Sequence, residues 1–163
     1  MNDKAFDVLL KKDRYQVFLL ACPASIPVNF ALHPWFVVNK KGTLSRWEVF
    51  CNPEVDWFLR WGHLHQDLYP PFQGTAMFFF SKKHVWREVR VLGVIEGDEG
   101  SLAHRMAEFI EASPETYSSC HRYSLTGPNS NTYAQWVLDR FPDCGLRLPW
   151  NSFGKNYTMK ETS

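Results

Sequence analysis

The chain alternates between unbroken apolar runs of strand length and segments in which apolar residues recur at helical spacing. Tyr15 to Cys22 is one such run, cut off by Pro23 and Pro27, and it predicts a buried strand. Trp35 to Val38 is a second. Asn39-Lys40-Lys41-Gly42-Thr43 follows with turn chemistry, because glycine tolerates the positive φ of a tight hairpin, and Ser45 to Cys51 reads as the return strand. Ala76 to Ser81 is a further strand candidate, and Val89 to Ile95 a stronger one, ending in a loop over Glu96-Gly97-Asp98-Glu99-Gly100.

Helix signals lie between and after these strands. Asn52-Pro53-Glu54 supplies a cap, a proline at the first helical position and an acid in the first turn, which predicts a helix to about Arg60, stopped by Gly62. A loop rich in proline and tyrosine follows. Ser101 caps an amphipathic segment with Leu102, Met106, Phe109 and Ile110 on one side, ended by Ser113-Pro114. A last helix opens after Gly127-Pro128-Asn129, buries Tyr133, Trp136, Val137 and Phe141, and closes at Cys144-Gly145. The tail from Pro149 to Tyr157 is loop-like but aromatic, so it should be packed. Residues 1–14 read as a polar, partly helical lead-in and 158–163 as a frayed end. With no repeat and no internal linker, residues 1–163 form one domain of α+β class: an antiparallel curved sheet packed by helices.

Composition narrows the function classes. A chain of 163 residues with 45% hydrophobic content supports one full core. The formal net charge of +1, without a basic stripe interleaved with aromatics, argues against a nucleic-acid partner. No apolar run approaches the ~20 residues of a membrane span. Cys22, Cys51, Cys120 and Cys144 are widely spaced and form no C-x-x-C pair, so free thiols in a reducing, cytoplasmic setting are expected. Lys11, Lys12 and Arg14 before Val17–Cys22 resemble a lipoprotein signal ending at Cys22. The apolar part is short and Asp3, Asp7 and Asp13 interrupt the positive start, so a buried strand is expected and export is the alternative. His63-Leu64-His65-Gln66-Asp67 sets three possible ligands on one side of an extended chain and is similar to the H-x-H-x-D-H motif of metallo-β-lactamase-type hydrolases. Position 68 is Leu where that motif has its last histidine, so no metal and no cofactor is expected.

Two segments carry candidate chemistry. His33 lies at the mouth of the second apolar run, where a fixed imidazole can act as a base near neutral pH. Ser130 lies at the start of the last helix, where unpaired backbone N–H groups and the positive dipole end favour a developing anion. Arg46 and Glu48 alternate onto one face of the return strand, so Glu48 can hold the imidazole in one tautomer if the register is right. Each residue also has a plainer reading: Ser130 as a helix cap, His33 as a core histidine, Glu48 as an ion-pair residue, and Asn129 and Asn131 as turn residues. Cys120, beside His121, is a rival nucleophile should it meet His33, although adjacent residues on an extended chain point to opposite sides.

The order of an early strand histidine, a polar residue on the next strand and a late nucleophile opening a helix resembles circularly permuted papain-like proteins. These include the lecithin retinol acyltransferase group and relatives of NlpC-type peptidases. His33-Pro34-Trp35-Phe36-Val37-Val38 looks like the early H-W-x-x-x-hydrophobic motif of that group, and Asn129-Ser130-Asn131-Thr132-Tyr133 resembles its N-C-E-H-F-like motif with serine at the cysteine position. From about His33 to Tyr157, including G-P-N-S-N-T and Gly154-Lys155-Asn156-Tyr157, the chain is also similar to an uncharacterised bacterial domain-of-unknown-function family. The resemblance implies hydrolysis or acyl transfer at an amide, ester or thioester carbonyl of a small-molecule, peptide or lipid substrate. Ser130 would attack, His33 take the proton and Glu48 orient it, with Trp35, Arg46, Asn129 and Asn131 binding. Where the acyltransferase group has a second histidine, this chain offers Arg46 or Glu48, and Arg46 cannot accept a proton. Serine also depends on its base more than a cysteine, whose free pKa is near ~8.5. The second function class is therefore a binding module that kept the scaffold and an aromatic groove but not the thiol.

Overall fold

The computed structural model describes residues 6, 8–51, 61–78 and 85–158. The helix expected over Asn52–Arg60, most of the polar lead-in, the end of the strand expected at Ala76–Ser81 and the tail beyond residue 158 lie outside the described residues.

Five strands form one open sheet: β1 (Tyr15–Pro23), β2 (Leu32–Lys40), β3 (Thr43–Val49), β4 (Leu64–Gln66) and β5 (Arg90–Gly97). Their spatial order is β4-β3-β2-β1-β5, and every neighbouring pair is antiparallel. Helices α1 (Leu102–Glu111), α2 (Ser113–Thr116) and α3 (Ser130–Arg140) follow the sheet, with a 3-10 turn at Pro142–Cys144. The molecule is thus a mixed α/β protein with a five-stranded antiparallel sheet.

β1 and β2 read as continuous apolar runs because both faces of the sheet are covered. One face carries Val17, Leu19, Phe36, Val38, Trp47 and Val49, packed against Met106, Ala107 and Ile110 of α1 and Tyr133, Ala134 and Val137 of α3. The other face carries Phe18, Leu20, Cys22, Trp35 and Val37 against Phe6 and Val89. Burying one such aliphatic or aromatic side chain contributes about 1.5–3 kcal/mol. β1 holds Val17, Phe18, Leu19 and Leu20 at 0% exposure, and β2 holds Trp35, Phe36, Val37 and Val38 at the same value.

The β2–β3 hairpin closes through Lys41 and Gly42, at φ 52° and 98°, the pair of positive values a two-residue type I′ turn requires. The buried Asn39 side chain accepts from the Gly42 N–H at 2.8 Å and completes the turn.

Several expectations change in detail. β4 was not anticipated: it has three residues and one partner strand, and only Leu64 of the three is buried, too little pattern to read. Glu96 and Gly97 continue β5 instead of opening a loop. Ala76 and Phe78 make only isolated bridges, to Trp86 and Ile26. Ser113-Pro114 ends α1 and opens the short α2. On α3 the buried side runs through Leu138, and Phe141 caps the end with its N–H on the Leu138 carbonyl.

Candidate functional site

Strand alternation places His33, Trp35 and Val37 of β2 on the sheet face that also takes Arg46 and Glu48 of β3. Glu48 is the centre of a buried network there. Its Oε2 accepts from His33 Nε2 at 2.7 Å and from Arg46 Nη2 at 2.9 Å. Arg46 Nε lies 2.7 Å from Oε1, an ion-pair contact outside hydrogen-bond alignment. Burial alone would push the Glu48 carboxyl up, but the His33 hydrogen bond and the Arg46 charge outweigh it and hold the group below the ordinary carboxylate range. An ionised carboxylate only accepts, so His33 Nε2 carries the proton of this hydrogen bond.

Arg46 is itself 0% exposed. Its Nη1 donates to the carbonyls of Pro70 (2.9 Å) and Gln73, and its guanidinium lies 4.3 Å from the Trp35 ring centroid and 5.3 Å from that of Tyr69. Trp35, expected in a groove, is fully buried, and its indole N–H donates to the Pro71 carbonyl at 2.9 Å. Trp35 and Arg46, two of the four residues expected to bind a ligand, therefore belong to the network that holds His33. The loop carbonyls and Tyr69 were missed because backbone acceptors leave no trace in residue type.

Ser130 is the first residue of α3, and Asn129 is its cap, which corrects the reading of Ser130 as the cap. Asn129 Oδ1 accepts from Asn131 N (3.0 Å) and Thr132 N (3.3 Å), and Thr132 Oγ1 accepts from Asn129 N (3.1 Å), a reciprocal capping box. These bonds consume the N–H groups of Asn131 and Thr132. Among the described residues no acceptor is bonded to the Ser130 N–H, so this one donor, not several, is left for an incoming anion.

Asn131 Nδ2 donates to the carbonyls of Leu32 (2.9 Å) and Phe153 (3.0 Å), and Asn129 Nδ2 to those of Ser124, Leu125 and Phe153. The tail is needed at this point. Gly154, at φ 91°, approaches so closely that a Cβ there would lie 2.5 Å from Asn129 Nδ2. Glycine is required on both counts.

A cavity of about 370 Å³ joins these elements. His33 and Ser130 both line it, with Asn129 and Asn131 beside Ser130. Its apolar wall includes Val28, Phe30, Leu125 and Phe153; Phe30 and Phe153 meet edge to face at 5.7 Å. Leu125 and Phe153 stand singly in polar loops, and Val28 and Phe30 lie in a short, mainly apolar connection between β1 and β2 that forms no strand of the sheet. No hydrogen bond joins Ser130 to His33 among those of the described residues. Glu48 does not line the cavity and touches it only through His33.

The remaining candidates lie elsewhere. Asp67 accepts from the Arg46 N–H at 2.7 Å, and no group of three or more His, Cys, Asp or Glu side chains among the described residues could hold a metal. Burial lowers both His63 and His65 from the ordinary imidazole range. Cys120 is buried in the core on the helix side of the sheet, and burial raises its thiol. Lys155 donates to the carbonyls of Leu148 (3.4 Å) and Pro149 (2.8 Å) in a larger groove of about 840 Å³ along α3 that contains neither His33 nor Ser130.

A family model described as Protein of unknown function (DUF3750) matches residues 14–157. No curated protein and no solved structure matches the chain.

Proposed function

The chain belongs to the DUF3750 family of proteins of unknown function, and we propose from its own site that it is a hydrolase or acyltransferase acting on a carbonyl that carries an apolar group. The observation that carries this reading is that His33, anchored by Glu48, and Ser130, heading α3, line one apolar cavity. Cavities of 300–1,000 Å³ with a few convergent polar groups are the usual form of small-ligand sites. In the proposed step Ser130 Oγ attacks the carbonyl carbon while its proton passes to His33 Nδ1. The C–O bond forms as the carbonyl π pair moves onto oxygen, which the Ser130 N–H receives. Collapse of that intermediate expels the alcohol, thiol or amine, which takes the proton back from His33. Water or a second acceptor then releases the acyl group by the same route. Hydrogen bonds between nucleophile and base commonly tighten only when substrate is bound, and this step forms the Ser130–His33 bond at that stage.

The papain-like reading of the fold belongs to the same proposal. An antiparallel sheet, a histidine on β2, its carboxylate on β3 and a late helix led by Ser130 support it. Four free thiols and no disulfide support a reducing, cytoplasmic setting.

The test is labelling by serine-directed fluorophosphonates with alkyl and aryl groups small enough for the cavity. The expected result is a single adduct on Ser130 in wild type and none in Ser130→Ala. Absence of label in wild type across the series counts against the enzyme.

One observation favours a binding module as the second reading. The first turn of α3 leaves a single backbone N–H, and Asn129 and Asn131 spend their donors on carbonyls of the protein. On that reading Ser130→Ala keeps its ligand and Phe153→Ala loses it.

A further inference from the structure

We propose that Arg46 is a positioning residue that decides which ring nitrogen of His33 carries the proton. The starting point is a count of charge and of donors in a closed place. Arg46 and Glu48 are each 0% exposed, and His33 is 5% exposed. The guanidinium is planar, always charged, and fixed at six points: two loop carbonyls, both oxygens of Glu48, and the faces of Trp35 and Tyr69. It neutralises Glu48 without the imidazole having to do so. The carboxylate then has a lone pair left on Oε2, and it can only accept. His33 must offer N–H at Nε2, and the basic lone pair falls to Nδ1.

Removing the guanidinium reverses the bond. Glu48 would keep its burial, which favours the neutral acid, and of the two influences that oppose burial it would lose the Arg46 charge and keep only the His33 contact. Among the described residues, the other charged or titratable groups that interact with Glu48 are Cys22, His65 and Tyr69, none of them a fixed cation. A protonated Glu48 donates its O–H to Nε2, so the ring proton moves to Nδ1. The lone pair then points at Glu48 and no longer serves as a base for Ser130. The consequence for turnover rests on the function proposed above; the tautomer does not, and it is read without any substrate.

The experiment is nitrogen-15 NMR of the histidine rings in the full chain, with His33 assigned through His33→Gln. Wild type near neutral pH is expected to show a pyrrole-type shift and a directly bonded proton at Nε2, and a pyridine-type shift at Nδ1. In Arg46→Met the two shifts exchange; in Arg46→Lys, which keeps a cation but not the fork, the wild-type pattern survives in part. A wild-type ring protonated at Nδ1 overturns the proposal, as does an unchanged pattern in folded Arg46→Met. Should Arg46→Met fail to fold, the wild-type and Arg46→Lys spectra still decide. If a labelled ester substrate is found, Arg46→Met should turn it over at least ~100-fold more slowly, the lower end of what a general base supplies. A wild-type protein that shows the expected tautomer but no serine labelling retires the enzyme and leaves the role of Arg46 standing.

Discussion

Asn131 donates to the carbonyl of Leu32 at 2.9 Å, which fastens the residue after Ser130 to the residue before His33. Ninety-nine residues separate the two ends of this bond. It explains how a strand and a helix packed on different parts of the sheet come to share a cavity: the Asn131 side chain ties the first turn of α3 to the mouth of β2, and the tail is tied to the same turn through the Phe153 carbonyl.

Asn131→Ala should therefore weaken the fold as well as the cavity. It removes two hydrogen bonds and leaves the Leu32 carbonyl short of this donor, at about 1–3 kcal/mol, while the Phe153 carbonyl keeps Asn129 Nδ2. A loss of about 2–4 kcal/mol in urea unfolding is expected, with Asn131→Asp no better, since a carboxylate offers no donor to either carbonyl. A loss under 0.5 kcal/mol, on the order of a neutral surface change, would mean that the tie is dispensable.

Asn129 separates two roles. Its Oδ1 caps α3 and its Nδ2 secures the loop and tail. Asn129→Ser keeps a capping oxygen and loses the rest, while Asn129→Ala loses both. The Ala variant should be less stable than the Ser variant by about 1 kcal/mol, the usual worth of an N-cap. Equal stability of the two by thermal unfolding would show that the cap contributes nothing here.

Legibility of the sequence divides along the same physical line. β1 and β2 were readable because two-sided burial writes continuous apolar runs, β3 because Lys41-Gly42 writes the turn that opens it, and β5 because Val89 to Ile95 is mostly apolar although the strand is only partly buried. Alternation placed Arg46 and Glu48 on one face, and the register brings Glu48 to His33 with Arg46 behind it. Three things were not readable. β4 pairs with one strand and buries one side chain. The cap fell to Asn129, because an Asn-Ser-Asn run offers three capping side chains and only the backbone angles choose among them. Trp35 looked like a groove residue because an aromatic beside a histidine suits a groove and a core equally well.

Glu48 gives the acid limb of the stability curve a definite sign. Its folded value lies below the unfolded one, so its contribution is fully present above the unfolded range, near ~4.3, and is lost as pH falls through the folded value. Wild type should lose stability steeply below about pH 4. Glu48→Gln should be weaker at neutral pH by about 3–5 kcal/mol, since Arg46 is left as an unpaired buried charge. Its stability should depend less on pH in the acid range, because the titrating group is gone. Parallel acid limbs in the two proteins, followed by circular dichroism, would remove Glu48 from the account.

Cys120 supplies the control on the choice of nucleophile. A thiol attacks as its thiolate. Burial raises Cys120, Cys51 and Cys22 above the ordinary thiol range, so none is activated. Cys120 also sits in the core with Tyr117 and Tyr133, on the sheet face away from His33. Iodoacetamide at neutral pH should modify Cys120 in the folded protein more slowly than a free cysteine, with the rate rising on unfolding in urea. Cys120→Ala should leave fluorophosphonate labelling of Ser130 unchanged within about twofold, because the two positions share no cavity wall. Rapid alkylation of Cys120 in the native state, together with loss of Ser130 labelling in Cys120→Ala, would move the nucleophile from the head of α3 to the 120–121 turn. The cavity between His33 and Phe153 would then have to be read as a ligand pocket alone.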